Sequence, residues 1–275
     1  MPAAFTRILS DIHFGDRASN VKRLEQLRPL LAGVDHLVLN GDTLDTRPGP
    51  DPEHTRECST TVRAFFFREI PTVTYLTGNH DADFSPQHYL DVANGTVFVI
   101  HGDILFDDIV PWSGDAPFVR RRMAEEFQTL PVELHHDLDH RLALFRRVAA
   151  AIPQRHQSEK HGLKYTLRYL ADTVWPPTRA LRIVSAWQDT PRLAASFAQR
   201  HRPRAEFIVT GHTHRPGIWP TAGGVTVINT GSYALALGGT AVDVFADRLT
   251  VRRVQFRRGE FHPGKAIAEF PLARP

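Results

Sequence analysis

Sulfur chemistry is nearly absent from this chain. Cys58 is the single cysteine among 275 residues, so no disulfide within the chain and no thiolate cluster around a metal can form. Any bound cation must then be held by oxygen and nitrogen. No run approaches the ~18 apolar residues that a membrane-crossing helix needs. The opening MPAAFTRILSDIHF lacks the charged-then-apolar layout and the cleavage site of a secretion signal, and the expected setting is the cytoplasm. A dominant charge is missing too. The formal net charge is only +3, which selects no class of partner. There is no internal repeat and no low-complexity tail. What remains, 42% hydrophobic and 23% charged residues, is the composition of a soluble globular protein with an ample core.

The first third alternates strand-like and helix-like text. RILSDIHF, HLVLNGDTLD, TVTYLTGNHD and GTVFVIHGD read as short apolar strands that end in polar residues. Between them, 20–34 places Val21, Leu24, Leu27, Leu30 and Leu31 at helical spacing, and RECSTTVRAFFFREI is also helix-like. Such alternation predicts a largely parallel sheet covered by helices.

From about Asp115 to Arg204 strand text gives way to helix-like segments at 117–130, 132–151, 162–174 and 177–200, broken at Pro131, Pro153, Pro176 and Pro177. This stretch holds 16 basic and 9 acidic residues, a net +7 against −4 for the remainder. AEFIVTGHTHRP then restores the earlier pattern, and VTVINTGSY, TAVDVFAD and LTVRRVQFRR read as strands of a second sheet. One α/β domain, 1–114 and 205–275, interrupted by a helical insertion at 115–204, is the expected organisation.

Five strands stop at the same kind of text: SDIH (Asp11, His13), NGDTLD (Asp42, Asp45), GNHD (Asn79, His80, Asp81), IHGD (His101, Asp103) and TGHTH (His212, His214). In an open α/β sheet, ligands bind in the crevice beyond the carboxyl ends of the strands. A single Asn or Asp after a Gly is ordinary turn chemistry. Five such groups in order, each after an apolar strand, instead predict a shared site. Carboxylate, imidazole and amide oxygen together suit Mn, Fe or Zn better than Ca or Mg. In Asp-x-His and His-x-His, strand alternation would point both side chains to one side.

This set resembles the calcineurin-like metallophosphoesterases, whose pattern is D-x-H, G-D-x-x-D/E, G-N-H-D/E, a later His, and G-H-x-H. The resemblance implies a four-layer α/β/β/α sandwich of two mixed sheets flanked by helices, with the helical segment as a cap. It implies two divalent metal ions, manganese first, with iron or zinc as alternatives. Asp11, His13 and His214 would hold one ion, Asn79, His101 and His212 the other, and Asp42 would bridge them. A bridging hydroxide would attack phosphorus. His80 would bind the phosphoryl oxygen and assist the leaving group, Asp81 would orient His80, and Asp45 and Asp103 would fix ligand geometry. The segment Asn229 to Ser232 matches a structural part of the family.

For the substrate, the helical insertion and HGDILFDD resemble the UDP-2,3-diacylglucosamine diphosphatases, peripheral membrane enzymes that hold acyl chains under a helical cap. That group commonly has Arg where His80 stands. The resemblance implies a diphosphate or lipid-linked substrate at the inner face of the membrane. The stripes Phe118, Met123, Phe127, Leu130 and Leu134, Leu138, Leu142, Phe145 read either as mutual helix packing or as a groove for an apolar substrate part. Arg120, Arg121 and Arg122, with Arg146 and Arg147, read as solvated faces or as contacts to a diphosphate or an anionic membrane. The alternatives are a phosphodiesterase or nuclease, with Arg168–Tyr169 and Arg182–Trp187 as its aromatic–basic pairs, and a non-catalytic scaffold. His136 and His140 share a helix face but lack a third ligand.

Overall fold

The computed structural model describes residues 4–16, 18–154, 177–234 and 238–272. The helix expected over 162–174, the pair Arg168–Tyr169 and the breaking Pro176 lie outside them. Two mixed sheets face each other. The first has the order β11-β10-β9-β1-β2-β3 and contains β1 (Thr6–Leu9), β2 (His36–Asn40), β3 (Thr72–Leu76), β9 (Thr240–Val244), β10 (Arg248–Arg257) and β11 (Glu260–Pro271). The second has the order β4-β5-β6-β8-β7 and contains β4 (Tyr89–Val92), β5 (Val97–Ile100), β6 (Phe207–Thr210), β7 (Gly217–Pro220) and β8 (Thr226–Asn229). β1, β2 and β3 run parallel in one sheet, as do β5, β6 and β8 in the other.

Strand alternation explains why the central strands are apolar throughout. Ile8, Val38, Val97, Val99, Val209 and Ile228 point into the layer between the sheets. Their neighbours Leu9, Leu37 and Leu39 face the helices on the outside of the first sheet. Phe98, Ile100, Ile208 and Val227 face helices outside the second. Each strand is therefore buried on both faces, as parallel strands covered by helices are. The result is the four-layer α/β/β/α sandwich.

One helical layer contains α1 (Arg28–Leu31) and α2 (Pro52–Glu69). α2 starts with Asp51 accepting from the His54 amide and Pro52 in the first turn, and it buries Val62, Phe65 and Phe66. The helix expected over 20–34 is instead a 3-10 turn, Leu24–Leu27, followed by the short α1. Pro29 lacks the amide that would continue a helix through this point and favours a new start. The other helical layer contains α3 (Ala116–Thr129), α4 (Leu138–Ala150) and α5 (Pro177–His201). The apolar stripes of α3 and α4 are used up here. Met123, Leu138, Leu142 and Phe145 are buried against the second sheet, with Phe127 and Leu130 packed at their margin. They form a core rather than an open groove, and Phe118 alone of the two stripes is counted among the exposed large hydrophobics.

The strands after the insertion divide between the sheets, contrary to their expected grouping. β8 joins the second sheet, but β9 and β10 extend the first beside β1. An ion pair secures this return. Arg7 lies opposite Asp243 in the β1–β9 register, and its guanidinium donates to both carboxylate oxygens at 2.6 and 2.7 Å and to the Leu30 carbonyl. Asp243 also accepts from Arg252 Nε at 3.1 Å, so loss of Arg7 leaves the carboxylate one partner and the Leu30 carbonyl none from this side chain. Arg7→Leu is expected to cost about 1–3 kcal/mol, read from urea unfolding at pH 7.

A second tie joins α4 to the loop after β3. Arg146 donates to the Ala82 and Ser85 carbonyls and to His88 Nε2. His88 Nδ1 in turn lies 2.6 Å from Thr77 Oγ1. Burial, and then Arg146, push the His88 pKa down to about 4. The unfolded chain, near the ordinary 6.5, takes up this proton first. The contribution of the neutral ring is thus complete above about pH 6.5 and is lost as pH falls toward 4. The urea midpoint should drop over that window, and His88→Gln should reduce the slope of the drop.

Candidate metal centre

The polar residues leave the core just where the strands end, and they do so with unusual backbone. Nine non-glycine residues among those described have positive φ, and five of them are Asp11, His13, Asp42, His212 and His214. Ile109, whose carbonyl accepts from His212 Nε2 at 2.8 Å, is a sixth. The left-handed region is costly for such residues and persists where the surroundings enforce it. The turns it makes aim successive side chains back over the strand tips. Two glycines leave the necessary room. A Cβ on Gly78 would overlap the Asp42 carboxylate, and one on Gly211 would overlap that of Asp11.

The side chains from the two sheets meet. Asp11, His13 and His214 form one group whose ligand atoms all lie within 4.8 Å of one another, and Asp42, His101 and His212 form another. His13, Asp42 and His80 make a third that joins them. His13 Nε2 lies 3.1 Å from His214 Nε2 and 3.8 Å from both Asp11 and Asp42. Asn79 is buried between Gly78 and His80, and the His80 amide donates to Asp42 Oδ1.

The donor set fits two cations. Asn79 Oδ1 and His101 Nε2 are buried and have no hydrogen-bond partner, which is costly unless another group satisfies them. The opposite nitrogen of His101 lies 2.9 Å from the Asn40 carbonyl and that of His212 bonds Ile109, so each ring presents its other nitrogen to the cluster. Asp11 is held by the His212 amide and Ser10 Oγ. Electrostatics agree. Burial resists charge on Asp42, yet the imidazoles of His101 and His80 keep its pKa well below the usual carboxylate range. Burial likewise opposes charging His101, but Asp42 holds its pKa well above the ordinary value. A cation would displace that proton. His13 and His212 are pushed by burial down to about 4 and about 3, and are neutral donors.

The remaining expected residues lie as follows. His80 Nδ1 sits 3.0 Å from Asp45 Oδ2 and 2.9 Å from Arg47, which itself pairs with Asp45 at 2.6 Å. Asp45 is therefore the carboxylate against His80. Asp81, expected in that position, accepts instead from the amides of Gly78, Asp42 and Thr43. Burial and the Asp42 charge push its pKa up to about 7. Arg120 pairs with Asp108, Arg121 with Glu125 and Arg147 with Glu126; none of these pairs includes a residue of the metal cluster. Trp187 of α5 donates from Nε1 to the Thr213 carbonyl, inside the GHTH turn. Phe106 and Trp112 pack their rings on His212. Arg47 and Trp112 carry no motif, so spacing alone does not single them out, and Trp187, read with Arg182 as an aromatic–basic pair, is bonded to the GHTH turn. Gly78→Ala should displace Asp42 and lower manganese content below one ion per chain by elemental analysis, whereas the unaltered chain should hold about two.

The calcineurin-like phosphoesterase family model matches residues 7–216. No curated protein matches the chain. Among solved structures, vacuolar protein sorting 29 from Cryptosporidium parvum is similar at 13% identity and a TM-score of 0.48, covering 98% of this chain and 99% of that one. A dimetal phosphatase from Danio rerio is similar at 13% and 0.44, covering 100% of each. A predicted phosphoesterase from Streptococcus pneumoniae TIGR4 is similar at 15% and 0.38, covering 99% of each. Identity rests on the family match, which spans most of the chain and takes in all five strand-end motifs: the protein belongs to the calcineurin-like phosphoesterases and is a phosphoester hydrolase.

Proposed function

We propose that this hydrolase uses two divalent cations, held by Asp11, His13 and His214 and by Asn79, His101 and His212 with Asp42 between them, to cleave a diphosphate such as a UDP-sugar lipid. The cations would supply an activated water and neutralise charge on the phosphoryl oxygens. The observation that carries the reading is the Asp45–His80–Arg47 triangle beside the metal ligands. Burial and Arg47 oppose a charge on His80, yet Asp42 and Asp45 raise its pKa above the ordinary imidazole value. In the protonated ring Nδ1–H donates to Asp45, so Arg47 beside the same nitrogen acts as a neighbouring charge and not as a donor to it, and Nε2 is left to face a substrate. A protonated Nε2 can give its proton to a departing oxygen.

The triangle also bears on substrate class. The UDP-2,3-diacylglucosamine diphosphatases commonly carry Arg where His80 stands, and here Arg47 brings a guanidinium against the Nδ1 side of His80 from the loop after β2. A guanidinium recognises phosphate through paired N–H groups. His80→Ala should keep its manganese and lose roughly 10²–10⁴-fold in kcat toward bis(p-nitrophenyl) phosphate. An unchanged rate would remove His80 from this role. Release of UMP from UDP-2,3-diacylglucosamine, compared with cleavage of single-stranded DNA, tests the substrate class.

A further inference from the structure

The hairpin of β10 and β11 runs on past the sheet that it belongs to. Arg253 lies opposite Thr240, the first residue of β9, and β10 continues to Arg257. β9 is antiparallel to both β1 and β10, so β10 leaves the sheet at the end where β1 delivers Asp11 and His13. Two strand spacings, about 10 Å, separate these strands. The face of the hairpin changes character on the way. Leu249 and Val251 are buried between the sheets. By strand alternation Arg253, Gln255 and Arg257 occupy the same face, and with Lys265 and Ile267 of β11 they line a concavity of about 440 Å³. Register shifts between Val251 and Val254 give β11 extra residues here and add twist. The chain turns at Arg258 and Gly259, both with positive φ, where Asn or Gly is usual. Arg258 thus sets a cation at the outermost point.

The charge of this overhang is not neutralised. Residues 252–267 hold five basic side chains and one acidic, a net +4 against +3 for the whole chain. Arg252 is taken by Asp243, and Glu260 lies 3.6 Å from His262. Among the described residues, Arg253, Arg257, Arg258 and Lys265 have no carboxylate partner. The arginines of the insertion differ, since Arg120, Arg121, Arg122 and Arg147 each pair with an acid. Apolar groups stand among the hairpin cations, with Phe256 57% and Ile267 47% exposed. Protection of a sheet edge explains Pro263 and Lys265 but not these two, which invite the pairing that charges prevent.

We propose that the overhang of β10 and β11 docks the protein on an anionic phospholipid surface. Arg253, Arg257, Arg258 and Lys265 meet the headgroup phosphates, and Phe256 and Ile267 enter the boundary beside them. Cations combined with exposed apolar side chains hold a peripheral protein at such an interface. A nucleic-acid duplex would answer the cations and leave Phe256 and Ile267 in water. Gln26 Nε2 donates to the Gly259 carbonyl and braces the tip against the turn Leu24–Leu27. That neighbouring text adds Lys22 and Arg23 against Glu25, so it does not cancel the charge. Docking here brings the strand ends that carry Asp11 and His13 close to the surface.

The test is co-sedimentation of the full chain with vesicles of phosphatidylcholine alone, and of phosphatidylcholine and phosphatidylglycerol in equal parts. Binding is read without turnover, so the result does not depend on the substrate proposed above. The unaltered protein should sediment with the anionic vesicles only and be released as salt is raised. Arg257→Gln and Arg258→Asn should each weaken binding about fivefold. Asn suits the turn at 258, so that variant separates loss of charge from loss of fold, with the melting temperature as the check. Ile267→Ser should weaken binding as well. Arg121→Gln, at an exposed position of α3, removes a charge of the insertion and should leave binding as it was. Absence of binding to the anionic vesicles, equal binding to both kinds, or the same loss in Arg121→Gln as in Arg258→Asn would overturn the proposal. Tighter binding to a duplex oligonucleotide than to the anionic vesicles would overturn the lipid as partner.

Discussion

Asp11, Asp42 and Asp81 are three carboxylates within one small volume, each no more than 2% exposed. Such a concentration of buried negative charge is tolerable only if every oxygen is answered by a donor or a cation. The chain supplies part of the answer from its own backbone. Three amides converge on Asp81, the His80 amide reaches Asp42, and the His212 amide reaches Asp11. Imidazoles supply more, and the unpaired atoms of Asn79 and His101 mark where the protein stops and a metal would begin. The left-handed turns, the glycines that accept a carboxylate against their α-carbon and the parallel strands that bring these turns together all serve this one electrostatic requirement.

The requirement also explains why the site is assembled from both sheets. β1, β2 and β3 contribute Asp11, Asp42 and Asn79 from one sheet, and β5 and β6 contribute His101 and His212 from the other. Carboxylates come from one side and most of the imidazoles from the other, so attraction across the gap opposes repulsion within each group. Val38, Leu76, Val99 and Val209 fill the space beneath and set the separation of the sheets.

Much of this was legible in the sequence because each central strand is an apolar run with a polar stop. The ends of β1, β2, β3, β5 and β6 are marked by residues whose chemistry differs sharply from the core. What was illegible follows from long-range pairing. β9 is recruited to β1 by the Arg7–Asp243 contact, between residues 236 apart, and no local pattern announces it. β11 carries Pro263 and Gly264, which argue against a strand locally but are tolerated at a sheet edge. Asp45 and Asp81 could not be told apart by spacing, since each lies close to His80 in the fold and only the direction of the side chain separates them. Arg47 sits in a Pro- and Gly-rich turn, text that signals a loop and nothing more.

The indole of Trp187 donating to the Thr213 carbonyl has an evolutionary corollary. A helix between β5 and β6 that clasps the very turn bearing two imidazoles is not a detachable ornament. A homologue that exchanged this region for another would have to provide a substitute clasp, or accept a looser His-Thr-His bend. Diversification of specificity through the intervening helices is thereby channelled toward the residues that leave this bond, and the donation from Arg215 to the Trp187 carbonyl, in place.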